Sequence, residues 1–161
     1  MGYYTELEFV DVVLDKERMP QFRKYCERHR DDDNRRFHYM LRYLHLSTEE
    51  HGYLDWNLSA EEKKHLKRLS DEKPTAIDSV DFDEVSSVWV EFGAIDNERV
   101  GKWYETEALV KWLTSYCIGG RIIEISREGD GGVWGWELAP KRFYRELGLV
   151  PVGRWQSHNR P

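Results

Sequence analysis

Cysteine is scarce in this sequence, and long apolar runs are missing. The two cysteines, Cys26 and Cys117, stand far apart with no neighbouring thiol, a pattern that predicts reduced, partly buried thiols rather than a disulfide. No stretch approaches the roughly 20 apolar residues that a membrane-spanning helix needs. The start of the chain also lacks the basic-then-apolar order of a signal peptide. We therefore expect a soluble, cytoplasmic protein without a membrane segment.

Sequence signatures of catalysis and metal binding are also missing. The chain contains no Gly-x-Ser-x-Gly, His-x-x-x-His or Cys-x-x-Cys pattern, which would indicate a nucleophile or a zinc site. The acidic run from Asp78 to Glu84 lacks the glycine that an EF-hand needs. The glycines of 129–132 precede a predicted strand, whereas a phosphate-binding loop precedes a helix. His38 and His45, on one side of a predicted helix, make only two ligands. We expect no metal, no cofactor and no catalytic residue.

Charge is distributed unevenly along the chain. The net charge of −6 makes direct binding to nucleic acid unfavourable, because phosphates are held mainly by lysine and arginine. Between Asp71 and Glu98, nine acids stand against one lysine, so the local charge is −8. Such a surface suits a basic groove on another protein. A solvated run of acids before a strand is the other interpretation.

The spacing of apolar residues predicts both helices and strands. Alternation at every second position is typical of strands, and recurrence every three or four positions is typical of helices. The predicted strands cover residues 3–14, with a bulge near 9–11, 87–92, 121–126 and 133–138, the last two forming a hairpin. The predicted helices cover residues 19–30, 37–45, 59–69 and 105–117, the last one stopped by Gly119-Gly120, and a short helix opened by Pro140. The state of 53–56 is left open between a strand and an irregular turn.

Aromatic residues are abundant, and among the seven tryptophans two pairs differ in their setting. Trp112 and Trp136 fall on the apolar stripe of a predicted helix and strand, so we expect them to pack in the core. Trp56 and Trp155 fall outside these patterns. They are better placed to be exposed anchors for a partner.

The order of motifs from Trp103 to Leu138 carries a resemblance. The chain reads Trp-Tyr, an amphipathic helix with Trp112-Leu113, Gly-Gly, a strand, Glu-Gly-Asp and a tryptophan-bearing strand. Together with the opening Met-Gly-Tyr, this order resembles a group of small uncharacterised α+β proteins common in phages and other mobile DNA. The resemblance covers about a quarter of the chain. It implies a genomic context in which small accessory proteins modulate host machinery, and it brings no catalytic residues.

These patterns predict an α+β fold, an antiparallel sheet of about four strands with helices packed on one face. One domain is expected over residues 1–152, followed by a loose tail at 153–161. We expect a non-enzymatic interaction module that binds a basic protein partner, for instance as a phage-type inhibitor of a host defence system that handles nucleic acid. The predicted partner-binding residues are Asp78, Asp81, Asp83, Glu84, Trp56 and Trp155.

Two other functions stay open at this point. A small-ligand-binding protein or hydrolase would use a cleft between the sheet and the first helices, lined by His38, His45 or Glu124. Binding of single-stranded nucleic acid would use Arg142, Arg145 and the tryptophan of the tail.

Overall fold

The computed structural model describes residues 4–32, 37–57, 59–61, 64, 73–93, 99–126, 132–139 and 143–148. Within these ranges two helices are described over their full length, α1 (Met19–His29) and α2 (Thr106–Leu113). Ala60, Glu61 and Lys64 are helical as well. The strands are β1 (Thr5–Leu14), β2 (Leu44–Thr48), β3 (Gly52–Asp55), β4 (Thr75–Ala76), β5 (Val88–Phe92), β6 (Val100–Gly101), β7 (Cys117–Ser126), β8 (Val133–Ala139) and β9 (Phe143–Gly148).

The strands form a mixed sheet much larger than the sequence predicted. Eight of them follow the order β4-β3-β2-β5-β1-β7-β8-β9, and β6 pairs with one end of β1. The β3–β4 pair is parallel, whereas the other pairs are antiparallel. The predicted fold class, an antiparallel sheet of about four strands, is therefore wrong.

Of the segments predicted as helices, one runs into a strand at its end and another forms a strand, and they account for much of this difference. The predicted helix at 37–45 is a 3-10 helical segment, His38–Tyr43, that leads directly into β2. The predicted last helix is β9, which pairs with β8 along its whole length. A short apolar run fits both periodicities, so neighbouring strands decide its state by offering backbone hydrogen bonds.

The bulge predicted in the first strand is confirmed. The β1–β7 register shifts between Val10 and Val13, and Asp11 has a φ of +48°. Opposite it, Gly120 has a φ of +126°, and a Cβ at this position would lie 2.5 Å from the carbonyl oxygen of Asp11. Gly119 and Gly120 therefore belong to a strand that approaches the bulge closely, and their predicted role as a helix stop is wrong.

Of the remaining predicted elements, some are confirmed and others are shorter than predicted or lie outside the described residues. The first helix is confirmed, with Pro20 in its first turn. The strand predicted at 87–92 is confirmed as β5, and the β7–β8 hairpin is also confirmed. The helix predicted at 105–117 exists as α2 but ends at Leu113, because β7 already begins at Cys117. Most of the predicted helix at 59–69, residues 127–131 of the predicted hairpin connection 127–132, and the tail 153–161 lie outside the described residues.

Both described helices bury side chains in the core that the sheet covers. Phe22 and Cys26 of α1 and Leu109 and Leu113 of α2 are among its members. Trp136 is 5% exposed, and Trp112 packs against the same core, so the predicted packing of these two rings is confirmed. Both cysteines are buried and free, and burial raises the pKa of each thiol. Among the described helices, none has the length and apolar character needed to span a membrane.

Candidate metal centre

The predicted acidic residues lie together on the surface between β4 and β5. Asp78, Asp81, Asp83 and Glu84 are all exposed. Asp78 is partly neutralised, because Arg23 Nη1 of α1 lies 3.0 Å from its Oδ1. Asp81 Oδ1 accepts a hydrogen bond from the backbone N–H of Asp83 at 3.1 Å, which shapes the turn. Three carboxylates, those of Asp81, Asp83 and Glu84, thus face solvent at one turn.

The two predicted tryptophan anchors do not extend this surface. Trp56 is half-buried and packs against the core, with its ring centroid 5.4 Å from that of Phe22. This placement explains Trp56 by packing and gives no support to a role as an exposed anchor. Trp155 and Arg142 lie outside the described residues, and for Arg145 only the backbone of β9 is described.

The residues predicted to line a shared cleft are placed apart. His45 is 3% exposed within β2, where burial, with a smaller effect from Arg30, lowers its pKa to about 4. Glu124 is buried in β7 and accepts hydrogen bonds from Thr5 at 2.7 Å, Trp134 at 3.0 Å and Thr106 at 3.3 Å. Burial nevertheless raises the pKa of Glu124. These partners give Glu124 a structural explanation.

Within the described part of the chain, two cavities lie away from these residues. One, of about 420 Å³, lies where β1 passes from its pairing with β6 to its pairing with β5, and its lining includes Glu8, Tyr53, Glu91 and Arg99. The other lies on the exposed side of α1 near Arg23. Neither cavity is lined by any of the three residues of the predicted cleft.

Three potential metal ligands meet at the end of α1. His29 is the last residue of the helix, Asp32 follows it closely, and His38 opens the next 3-10 segment. Their ligand atoms all lie within 4.8 Å of one another. Asp32 Oδ2 lies 2.7 Å from His29 Nδ1 and 3.3 Å from His38 Nδ1. One carboxylate oxygen therefore faces two imidazole nitrogens. We call His29, Asp32 and His38 the His-Asp-His cluster.

Aromatic packing fixes the two imidazoles of the cluster. The rings of His29 and His38 stack with centroids 4.5 Å apart and an interplanar angle of 27°. Tyr25, one helical turn before His29, lies against it at 4.6 Å and contacts Trp112 of α2 at 5.0 Å. Packed neighbours restrict the motion of both rings, so these ligands lose little freedom on binding.

The electrostatics of the cluster favour a cation. The hydrogen bond with His29 is the main cause that lowers the pKa of Asp32 from its ordinary value of 3.8, so its carboxylate is charged at neutral pH. The cluster also sits at the carboxyl end of α1, where the helix carries a partial negative charge. The side chains of His29 and Asp32 are 26% and 39% exposed, whereas that of His38 is 11% exposed. An ion would reach the site from the side of His29 and Asp32.

The two distances from the Asp32 carboxylate suit a transition metal ion after a small adjustment. Bonds of about 2.0–2.1 Å place tetrahedral ligands about 3.3–3.4 Å apart. The His38–Asp32 separation of 3.3 Å already has this value. The His29–Asp32 separation of 2.7 Å would widen by about 0.6 Å. Among the residues that the structure describes, three ligands converge, and such a set leaves a fourth coordination position.

Sequence reasoning missed the cluster because its spacing matches no common zinc pattern. His29 and Asp32 are three apart, and His38 follows six residues later, beyond the helix end. The usable signal was a histidine and an acid at the end of an amphipathic helix. The position of His38 beside them is a tertiary feature that spacing does not encode.

Comparison with known proteins adds no assignment. The chain matches no protein family, no curated protein and no solved structure. The resemblance to phage and mobile-element proteins therefore stays a prediction.

Proposed function

We propose that the protein binds a divalent transition metal ion of the zinc class through His29, Asp32 and His38. The observation that carries the proposal is the convergence of one ligand atom from each of these residues within 4.8 Å of one another. Two of these three groups are imidazoles stacked on each other. Imidazole suits zinc, copper, iron and nickel, whereas magnesium and calcium prefer sites made of oxygen atoms.

The number of ligands bears on the kind of chemistry. Structural zinc sites use four protein ligands, whereas catalytic sites use three and keep one position for water. A zinc ion at this cluster would lower the pKa of its bound water towards neutrality and so supply a nucleophile. This supports a metal-dependent hydrolase or ligand-binding protein, with His38 as a metal ligand.

Zinc titration of the chelator-treated protein tests the proposal directly. We expect one equivalent of Zn²⁺ to bind in isothermal titration calorimetry, and Mg²⁺ and Ca²⁺ to bind at least about 100-fold more weakly. Asp32→Asn keeps the shape of the half-exposed side chain and removes its charge. It should weaken zinc binding by at least about 10-fold.

His51→Ala is the matched control, because His51 is an exposed histidine outside the cluster. It should bind zinc as the wild type does. Equal zinc affinity of the wild type and Asp32→Asn would contradict the assignment, as would binding of less than half an equivalent by the wild type.

The exposed carboxylates of Asp81, Asp83 and Glu84 support a second function, docking of a basic protein partner. Their position at one turn would give a salt-dependent contact. Affinity capture from the native host should retain a basic protein on the wild type and lose it with the triple variant Asp81→Asn, Asp83→Asn and Glu84→Gln. Capture that is unchanged by the triple variant and insensitive to salt would refute this docking site. An inhibitory role against a host defence system is one form that this docking would take.

A further inference from the structure

Tyr25 holds the side of His38 that faces away from Asp32. Its Oη lies 2.8 Å from His38 Nε2, and the two rings meet edge to face, with centroids 5.5 Å apart. Tyr25 and His29 are separated by one turn of α1, so one helix face carries both a ligand and the partner of another ligand. His38 is thereby contacted on both ring nitrogens, by Asp32 at Nδ1 and by Tyr25 at Nε2.

A neutral imidazole carries one N–H, so its two nitrogens have opposite roles. A phenol hydroxyl can donate or accept, and Tyr25 therefore fits either tautomer. In the first arrangement, Nδ1–H of His38 points to the Asp32 carboxylate and the Tyr25 hydroxyl donates to Nε2. In the second, Nε2–H donates to the Tyr25 oxygen and the lone pair of Nδ1 is available to a metal ion.

We propose that Tyr25 is a positioning residue that permits His38 to change tautomer when the metal ion binds. This inference rests on the metal-binding function proposed above. In the metal-free protein, His38 Nδ1 lies 3.3 Å from the Asp32 carboxylate as a charge contact without the alignment of a hydrogen bond. The negative carboxylate attracts an N–H at this nitrogen and so favours the first arrangement. The metal ion takes the Nδ1 lone pair and enforces the second.

The protons balance without any change in the charge of His38. The Nδ1–metal bond forms, the proton of Nδ1 leaves to solvent, and Nε2 takes up one proton from solvent. The Tyr25 hydroxyl keeps its proton and turns so that its oxygen accepts from Nε2–H. Hydrogen bonds of this kind orient metal-bound histidines, and removing them typically weakens metal binding by about 10–100-fold.

Phenylalanine cannot accept the Nε2–H bond, so Tyr25→Phe separates this role from packing. We expect Tyr25→Phe to fold as the wild type does by circular dichroism and to bind zinc about 10–100-fold more weakly. His51→Ala again serves as the matched control with unchanged affinity.

Long-range ¹H–¹⁵N spectra of the His38 ring give a readout that packing alone would not move. We expect an Nδ1–H ring in the metal-free wild type and an Nε2–H ring after one equivalent of Zn²⁺. If wild type and Tyr25→Phe bind zinc equally, or if the His38 tautomer is the same with and without zinc, the role of Tyr25 is refuted while the metal site stands. If the wild type binds no zinc, the proposed function itself is refuted.

Discussion

The buried imidazole of His45 should make the protein unstable towards mild acid. Its pKa is about 4 in the folded protein, against an ordinary value of 6.5, because burial disfavours the charged ring. Between these values the unfolded chain binds a proton that the folded chain does not. The stabilising effect is therefore fully present above pH 6.5 and is lost as the pH falls towards 4. A difference of about 2.5 pKa units corresponds to about 3 kcal/mol.

Replacing His45 with glutamine removes this titration. We expect the free energy of unfolding of the wild type to fall by about 3 kcal/mol relative to His45→Gln between pH 7 and pH 4. Urea unfolding followed by tryptophan fluorescence, with chelator present, measures both proteins. A constant difference in unfolding free energy between the two proteins does not affect the test, since only the change with pH is compared. His51→Gln controls for the loss of a histidine. Parallel pH profiles for the wild type and His45→Gln would refute the reasoning.

Three further predictions concern the bulge, the aromatic core and the open metal position. Gly120→Ala should lose at least about 2 kcal/mol of stability, because its Cβ would overlap the backbone at Asp11; Gly119→Ala, with open space around its Cβ, should change stability by less than about 1 kcal/mol. Phe22→Ala should lose about 3–5 kcal/mol in urea unfolding, whereas Tyr104→Ala, at 65% exposure, should stay within about 0.5 kcal/mol. Azide should change the visible spectrum of the Co²⁺-loaded protein by replacing bound water, and an unchanged spectrum would contradict a three-ligand site.

Sequence patterns predicted the elements whose periodicity was long or, as in β5, strictly alternating. The apolar stripe of α1 and the alternation along β1, which changes phase at the bulge, each extend over ten residues or more, which is enough to separate period 3.6 from period 2. β2 and β9 have only five and six residues, and their apolar residues fit either period. The number of strands in the sheet depends on these short segments, so the sequence patterns did not predict it.

The candidate functional residues likewise include some that local sequence predicts and some that it does not. The exposure of Asp81, Asp83 and Glu84 follows from local polarity and was predictable. The His-Asp-His cluster depends on where α1 ends and on how the chain brings His38 back against His29. That contact is made by ring stacking between residues nine positions apart, and no local preference specifies it.

The placement of β1 has a consequence for synthesis of the chain. This strand lies in the interior of the sheet, next to β7, and Thr5 reaches Glu124 across 119 positions of sequence. On the ribosome, β1 emerges long before β7 has been synthesised, and its apolar side stays exposed to water until then. Strand pairs that are so distant in sequence form slowly, and unpaired strands are prone to aggregation. We therefore expect the sheet to complete only after β7 has been made, with chaperones raising the yield of native protein.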